Sequence, residues 1–181
     1  ANLEIRARGC VPAHTMVAPG KHGCDPHDVG TGPIRAGEPI IIDIFPRSEK
    51  TGYFADITRT VVKGTPRPIV RDMYEAVLRA QRGALRMIRH GARSRDIHGA
   101  ILELFEKRGF KTGQIDGRMQ GFFHGTGHGL GLEIHEAPRM SATSDPPLGR
   151  ARFAIVAPEK LQFGLGRMYE AYRSLQPGST K

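Results

Sequence analysis

Hydrophobic positions divide the first part of the chain into short extended segments. A β-branched apolar run from Pro39 to Phe45 and a second strand-like run from Tyr53 to Val62 flank the polar stretch Arg47–Gly52. Two such runs joined by a short polar segment predict an antiparallel β-hairpin. Residues 1–33 contain prolines and glycines that break any regular period, which predicts loops and short strands.

Two amphipathic helices are predicted after the hairpin. Between Arg67 and Arg89, apolar residues recur every three or four positions, and a glycine follows as a stop signal. A second helix is predicted from about Arg95 to Arg108, again with a glycine after it. The glycine-punctuated segment from Phe122 to Glu136 is expected to be extended, and the residues after Met140 show no period.

Composition indicates a single soluble domain. The 181 residues are 39% hydrophobic and 25% charged, and the longest wholly apolar run is too short to cross a bilayer, so we expect no membrane partner. Cys10 and Cys24 match no disulfide scaffold, which indicates reduced thiols and a cytoplasmic protein. The first residues contain neither a starting Met nor an apolar signal region, so we expect an upstream domain in the full protein.

The positive net charge raises the question of nucleic-acid binding. Of the charge of +9, residues 137–181 contribute +4, because they hold seven Lys or Arg against three Asp or Glu. The pattern of a known nucleic-acid module does not accompany this excess. We therefore expect no nucleic-acid partner.

Two aspartates in the hairpin form the first candidate site. If Glu49 and Lys50 form the tip, Asp43 lies directly opposite Asp56, with Cβ atoms about 4.5–5.5 Å apart. Two ionised carboxylates at that distance repel each other unless a cation lies between them, and two metal ions about 3.5–4 Å apart fit the gap. The alternative is that Asp43 ends a strand and Asp56 is a solvated turn residue.

Three histidines, His124, His128 and His135, fall within twelve residues of the glycine-rich segment. Glycines occupy every second position from Gly125 to Gly131. Positions without a side chain allow the segment to lie against another backbone while His128 projects into a cavity. A neutral imidazole there would be a suitable third metal ligand.

The other five histidines carry weaker signals. His27 lies on a loop before the hairpin, where catalytic groups are common, although His14 and His22 are equally plausible there. His90 and His98 lie on or beside the predicted helices, away from the histidine-rich segment, and are interpreted as structural residues.

Four segments together resemble a known family. They are Asp43–Arg47, Gly52–Thr60, His124–Gly131 and His135–Pro138, and the likeness runs from about residue 17 to 140. This pattern resembles the pita-bread metallopeptidases (family M24) of the aminopeptidase P and prolidase type. The resemblance implies an α+β pita-bread fold, with an antiparallel curved sheet covered by helices, that is incomplete at the C-terminus. Residues 1–140 would be the catalytic domain and residues 141–181 a divergent tail.

The resemblance also implies a metal centre with two divalent ions. Asp43 would hold one ion, Asp56 would bridge both, and His128 would be the single histidine ligand. Manganese is the expected metal, with cobalt or zinc as alternatives.

The chain departs from the family at the two glutamates that complete this centre. Their Val-Glu-Pro-Gly and Arg-x-Glu-Asp motifs are absent from the sequence. The corresponding positions place Ala157 at the first glutamate and Glu170 near the second, and Glu159 is another substitute. We take Glu170 as the expected fourth metal ligand. Two carboxylates and one imidazole alone supply too few ligands for two ions.

The resemblance assigns catalytic roles to His27, His124 and His135, which would donate hydrogen bonds to the tetrahedral intermediate and pass a proton to the leaving amine. The implied activity is that of an Xaa-Pro aminopeptidase or dipeptidase acting on peptides with proline at the second position. The full-length form is expected to be a homodimer. The alternative is a catalytically inactive or truncated pita-bread domain that acts as a binding module.

Overall fold

The computed structural model describes residues 1–25, 28–115, 117–144 and 147–149. The helices are α1 (Asn2–Ala7), α2 (Pro68–Met87) and α3 (Ser94–Lys107), with a 3-10 helix at Gly20–Cys24. The strands are β1 (Cys10–Pro19), β2 (Pro39–Ser48), β3 (Ile57–Val62), β4 (Gly113–Ile115), β5 (Arg118–Gln120), β6 (Gly127–Gly129) and β7 (Glu136–Met140).

Strand β2 is the centre of a three-stranded antiparallel sheet, with β1 on one side and β3 on the other. The predicted hairpin is confirmed as β2 and β3. Side chains alternate along a strand, and the row Ile41, Asp43 and Phe45 is buried on one face of β2. A carboxylate therefore lies within an otherwise apolar row.

The predicted register of the hairpin is wrong. Asp43 lies opposite Thr58, and not opposite Asp56. The turn is centred one residue later than expected: the Gly52 N–H donates to the Ser48 carbonyl at 2.9 Å, and Gly52 adopts a left-handed φ of 74°. A one-residue displacement of the turn moves every cross-strand pair by two residues.

Helices α2 and α3 form the main hydrophobic core, and both predicted helices are confirmed within two residues of their expected ends. Helix α2 begins with Pro68. Proline has no backbone N–H, and this costs no hydrogen bond here because N–H groups in the first turn of a helix have no partner within the helix. The small side chains of Ala76, Ala80 and Ala84 allow close packing of α2 against α3. Phe105 of α3 is fully buried in the same cluster.

The glycine-rich segment contains less regular structure than predicted. Gly127–Gly129 forms the short strand β6, and it pairs in a two-stranded sheet with β7, which begins at the last residue of the segment, Glu136. The Phe54 N–H donates to the Gly131 carbonyl at 2.8 Å. This bond connects the segment just before β3 to the histidine-rich segment.

Leu148 is buried in the helical core. Its N–H donates to the Ala92 carbonyl at 2.8 Å, and its carbonyl accepts from the Gly91 N–H at 2.8 Å. At least this part of the predicted tail therefore packs on the α2–α3 connection. The division into residues 1–140 and 141–181 stays a prediction.

None of the helices in the described part of the chain has the length and apolar composition that a bilayer crossing requires. Cys10 and Cys24 are both free thiols, as predicted. Burial raises the pKa of the Cys24 thiol to about 12, because an apolar environment disfavours the thiolate. Cys10 is half-buried on β1.

We expect Cys24 to resist alkylation in the folded protein, because the thiolate is the reactive species. Iodoacetamide at pH 8 should label Cys10 first and reach Cys24 only after denaturation, as peptide mass spectrometry would show. Cys10→Ser and Cys24→Ser variants assign each signal. Labelling of Cys24 in native protein as fast as in denaturant would contradict this burial.

Candidate active site

Asp43 has little access to water, with an exposed fraction of 1%. Its Oδ1 accepts a hydrogen bond from the Thr58 hydroxyl at 2.7 Å. Removing a carboxylate from water costs several kcal/mol unless other groups stabilise its charge. The central strand therefore holds a polar group whose burial needs strong compensation.

Asp56 lies just before β3 and two residues from Thr58, the partner of Asp43. Alternation along the chain therefore places Asp56 on the same face of the sheet as Asp43. Its side chain is 2% exposed, so the interpretation of Asp56 as a solvated turn residue is rejected.

His128 faces Asp56, with its Nε2 at 3.7 Å from Asp56 Oδ2. The His128 Nδ1 lies 2.9 Å from the Gly129 carbonyl, which can only accept a hydrogen bond. Nδ1 therefore carries a hydrogen, and Nε2 is the nitrogen directed towards the carboxylate. Histidine metal ligands typically show this arrangement, in which the second ring nitrogen donates to a carbonyl or carboxylate.

His135 and His124 lie on either side of His128 in the sequence and have different surroundings. The exposed His135 packs edge to face on the His128 ring, with centroids 4.3 Å apart. The half-buried His124 packs on the Phe122 ring at 4.8 Å, and its Nδ1 donates to the Gly125 carbonyl at 3.0 Å. His128 thus lies next to both Asp56 and His135.

Close backbone contact explains two of the alternating glycines. A Cβ on Gly129 would lie 2.2 Å from the Ala137 carbonyl oxygen, and one on Gly125 would lie 3.0 Å from the Met140 carbonyl oxygen. The prediction that this segment lies against another backbone is therefore confirmed. The close approach to β7 fixes the strand from which His128 projects.

The side chains at this site are of the types that bind divalent metal ions. The 3.7 Å between His128 Nε2 and Asp56 Oδ2 is too long for a hydrogen bond. It suits two ligands of one ion, each about 2.0–2.2 Å from it. Within the described residues, however, no three side chains of the His, Cys, Asp and Glu types come close enough to hold a metal ion. A two-ion centre therefore needs further ligands.

Several predicted site residues lie outside the described residues. They are His27, Ala157, Glu159 and the expected ligand Glu170. Their roles stay predictions.

Three polar residues next to the site were missed from the sequence. Thr58 supports Asp43, and its position opposite that residue depends on the turn. His98 and Thr126 are both buried and hydrogen-bonded to each other at 2.9 Å. The interpretation of His98 as a structural residue is therefore confirmed, although it lies beside the histidine-rich segment and not away from it. Its spacing of three and seven residues from Ile101 and Phe105 could have indicated burial.

Comparisons with known proteins identify a family for this sequence. The sequence profile of metallopeptidase family M24 matches residues 2–165. The Xaa-Pro dipeptidase of Pyrococcus furiosus is 32% identical over 145 residues, which cover 80% of this chain and 39% of that protein. This chain thus spans about two fifths of the length of that relative.

Solved structures show the same architecture. The prolidase from Pyrococcus horikoshii matches with a TM-score of 0.72 and 31% identity, covering 81% of this chain and 40% of that chain. The X-Pro aminopeptidase from Thermotoga maritima matches with a TM-score of 0.72 and 32% identity, covering 82% of this chain and 40% of that chain. The predicted pita-bread fold is confirmed by these likenesses.

Gly129→Ala and Gly83→Ala should change stability in opposite directions. The Cβ of an alanine at position 129 would collide with the backbone of β7, so we expect the free energy of unfolding to fall by about 1–3 kcal/mol. Gly83 lies in α2 with no atom within 4 Å of an added Cβ, so alanine there should stabilise by up to about 1 kcal/mol. Urea unfolding of both variants measures these changes. Equal stabilities would show that β6 does not lie against β7.

Proposed function

The chain belongs to metallopeptidase family M24, and from this membership we propose that the full-length protein is a metal-dependent peptidase that cleaves the bond before proline. The relatives named Xaa-Pro dipeptidase and Xaa-Pro aminopeptidase support this specificity. The observation that carries the proposal is that His128 faces the Asp56 carboxylate, which is 2% exposed and lies on the same sheet face as buried Asp43. The substrate would be a peptide with proline at its second position, in the cytoplasm.

The proposed metal ligands are Asp43, Asp56 and His128. Carboxylate oxygens and an imidazole nitrogen are donors that manganese, cobalt and zinc all accept. Glu170 is the proposed further ligand for a two-ion centre with manganese. When bound, the ions would lower the pKa of a bound water and polarise the scissile carbonyl.

The protein's own side chains have separate proposed tasks. The Gly129 carbonyl fixes the orientation of the His128 ring, because it accepts the hydrogen on Nδ1. His135 is exposed beside that ring. We assign to His135, together with His124 and His27, the donation of hydrogen bonds to the carbonyl oxygen and of a proton to the leaving amine.

One observation favours a second candidate function. The described residues contain no group of three potential ligands that could hold a metal ion. The sequence also lacks both glutamate motifs of the family. A pita-bread domain without a complete metal centre would bind peptides and not hydrolyse them.

Metal content and peptide hydrolysis separate these two functions. After dialysis against Mn²⁺, the peptidase should retain metal and hydrolyse Ala-Pro substrates faster than Ala-Ala substrates. Asp43→Asn and Asp56→Asn should each reduce the rate of hydrolysis by more than about 100-fold. Loss of a residue that only hydrogen-bonds to a metal ligand typically costs up to about that factor, and loss of a ligand itself should cost more. The matched control is Asp72→Asn, an exposed aspartate on α2, which should leave hydrolysis unchanged.

The contrary result is equally informative. A full-length wild-type protein that retains no Mn²⁺ and hydrolyses neither substrate is not the proposed peptidase. Binding of a proline-containing peptide to such a chain, measured by calorimetry, would support the binding function instead.

A further inference from the structure

His98 is a polar residue in an apolar layer. It lies on the inner face of α3 with an exposed fraction of 6%, on the same side of the helix as Ile101 and Phe105. A buried imidazole loses its hydration and is stable there only when protein groups satisfy its ring nitrogens. The partners of His98 therefore determine what it does.

The first partner of His98 is Thr126. His98 Nδ1 lies 2.9 Å from the Thr126 hydroxyl, and both residues are buried. The Thr126 N–H also donates to the Met140 carbonyl at 2.6 Å, which attaches this residue to β7. Thr126 lies midway between His124 and His128 in the sequence. A bond from α3 thus holds the backbone that carries both histidines.

The second partner of His98 is the ring of Phe122. The two ring centroids are 5.2 Å apart, and Phe122 is almost fully buried. Phe122 also contacts His124, whose ring packs edge to face at 4.8 Å and 82°. A change in the position of the His98 ring would therefore move Phe122 and, through it, His124.

The surroundings of His98 favour its neutral form. Burial is the main cause that lowers the pKa of His98, and the nearby charge of His124 lowers that pKa further. A neutral imidazole can either accept a hydrogen bond from the Thr126 hydroxyl or donate one to it, and neither arrangement adds a buried charge.

We propose that His98 is a positioning residue that orients His124 through Phe122 and holds the strand of His128 through Thr126. This inference rests on the proposed function, because it concerns the same site. It assigns to a helix residue with no expected role the task of fixing two side chains of the site.

Two variants each remove one of the two connections. Thr126→Val keeps the shape of the side chain and removes the hydroxyl, whereas Thr126→Ser keeps the hydroxyl. His98→Asn keeps a polar group near the position of Nδ1 and removes the ring that contacts Phe122. His90→Asn is the matched control, because His90 is exposed beyond the end of α2.

The main measurement is the nitrogen-15 NMR spectrum of the histidine rings in the metal-free full chain. In Thr126→Val, we expect His128 to lose its preference for the tautomer with hydrogen on Nδ1. In His98→Asn, the ring signals of His124 should shift and broaden. Thr126→Ser should restore the wild-type spectrum, and His90→Asn should change only the signal of its own ring.

Hydrolysis supplies a second readout. For Thr126→Val and His98→Asn, kcat should fall about 10- to 100-fold while KM changes less than about twofold, because misplaced groups affect the transition state more than substrate binding. If the substitutions only destabilise the fold, they should lower the fraction of active protein. The ring tautomers of the protein that remains folded should then be unchanged.

The two proposals can fail separately. Absence of hydrolysis by the full-length wild-type protein overturns the peptidase function, and the ring spectra still test the positioning role. Unchanged His124 and His128 spectra in a folded variant of either kind overturn the positioning role. Because each variant breaks a different connection, a folding failure of one leaves the other as the test.

Discussion

Burial of two carboxylates on one face of the central sheet is the constraint on which the site depends. Asp43 and Asp56 both lie almost completely out of water, and burial of negative charge is costly without compensation. The structure places the Thr58 hydroxyl on the first carboxylate and the His128 ring facing the second. The bond between the Phe54 N–H and the Gly131 carbonyl joins the two parts of the chain that supply these groups.

The sequence patterns predicted the elements better than their pairing. Helical periodicity predicted α2 and α3 because a continuous apolar face is a property of the segment itself. The register of β2 and β3 depends on the turn, where the left-handed Gly52 sets the loop. The error was two residues, and an even shift keeps each side chain on its face. Asp43 and Asp56 therefore share a face although they are not opposite each other.

Contacts between distant segments could not be predicted in this way. His98 and Thr126 are 28 residues apart, and neither has a partner that local spacing would indicate. The helical phase of α3 could have indicated that His98 faces the core, although not which polar group it meets there. The glycine pattern was more informative, because a position without a side chain directly indicates close backbone contact, which Gly129 confirms. The positions of His27 and Glu170 stay predictions.

The hydrophobic core and the proposed metal site consist of different residues. The main core is formed by residues of α2 and α3 together with Phe110, Phe122, Met140 and Leu148, and none of these residues is a proposed metal ligand. Loss of a ligand therefore need not disturb the packing that maintains the fold. Activity depends instead on the number of donors that join Asp43, Asp56 and His128. Fold similarity alone cannot distinguish a peptidase from a binding domain, because both need the same core, and the difference lies in whether the metal centre is complete.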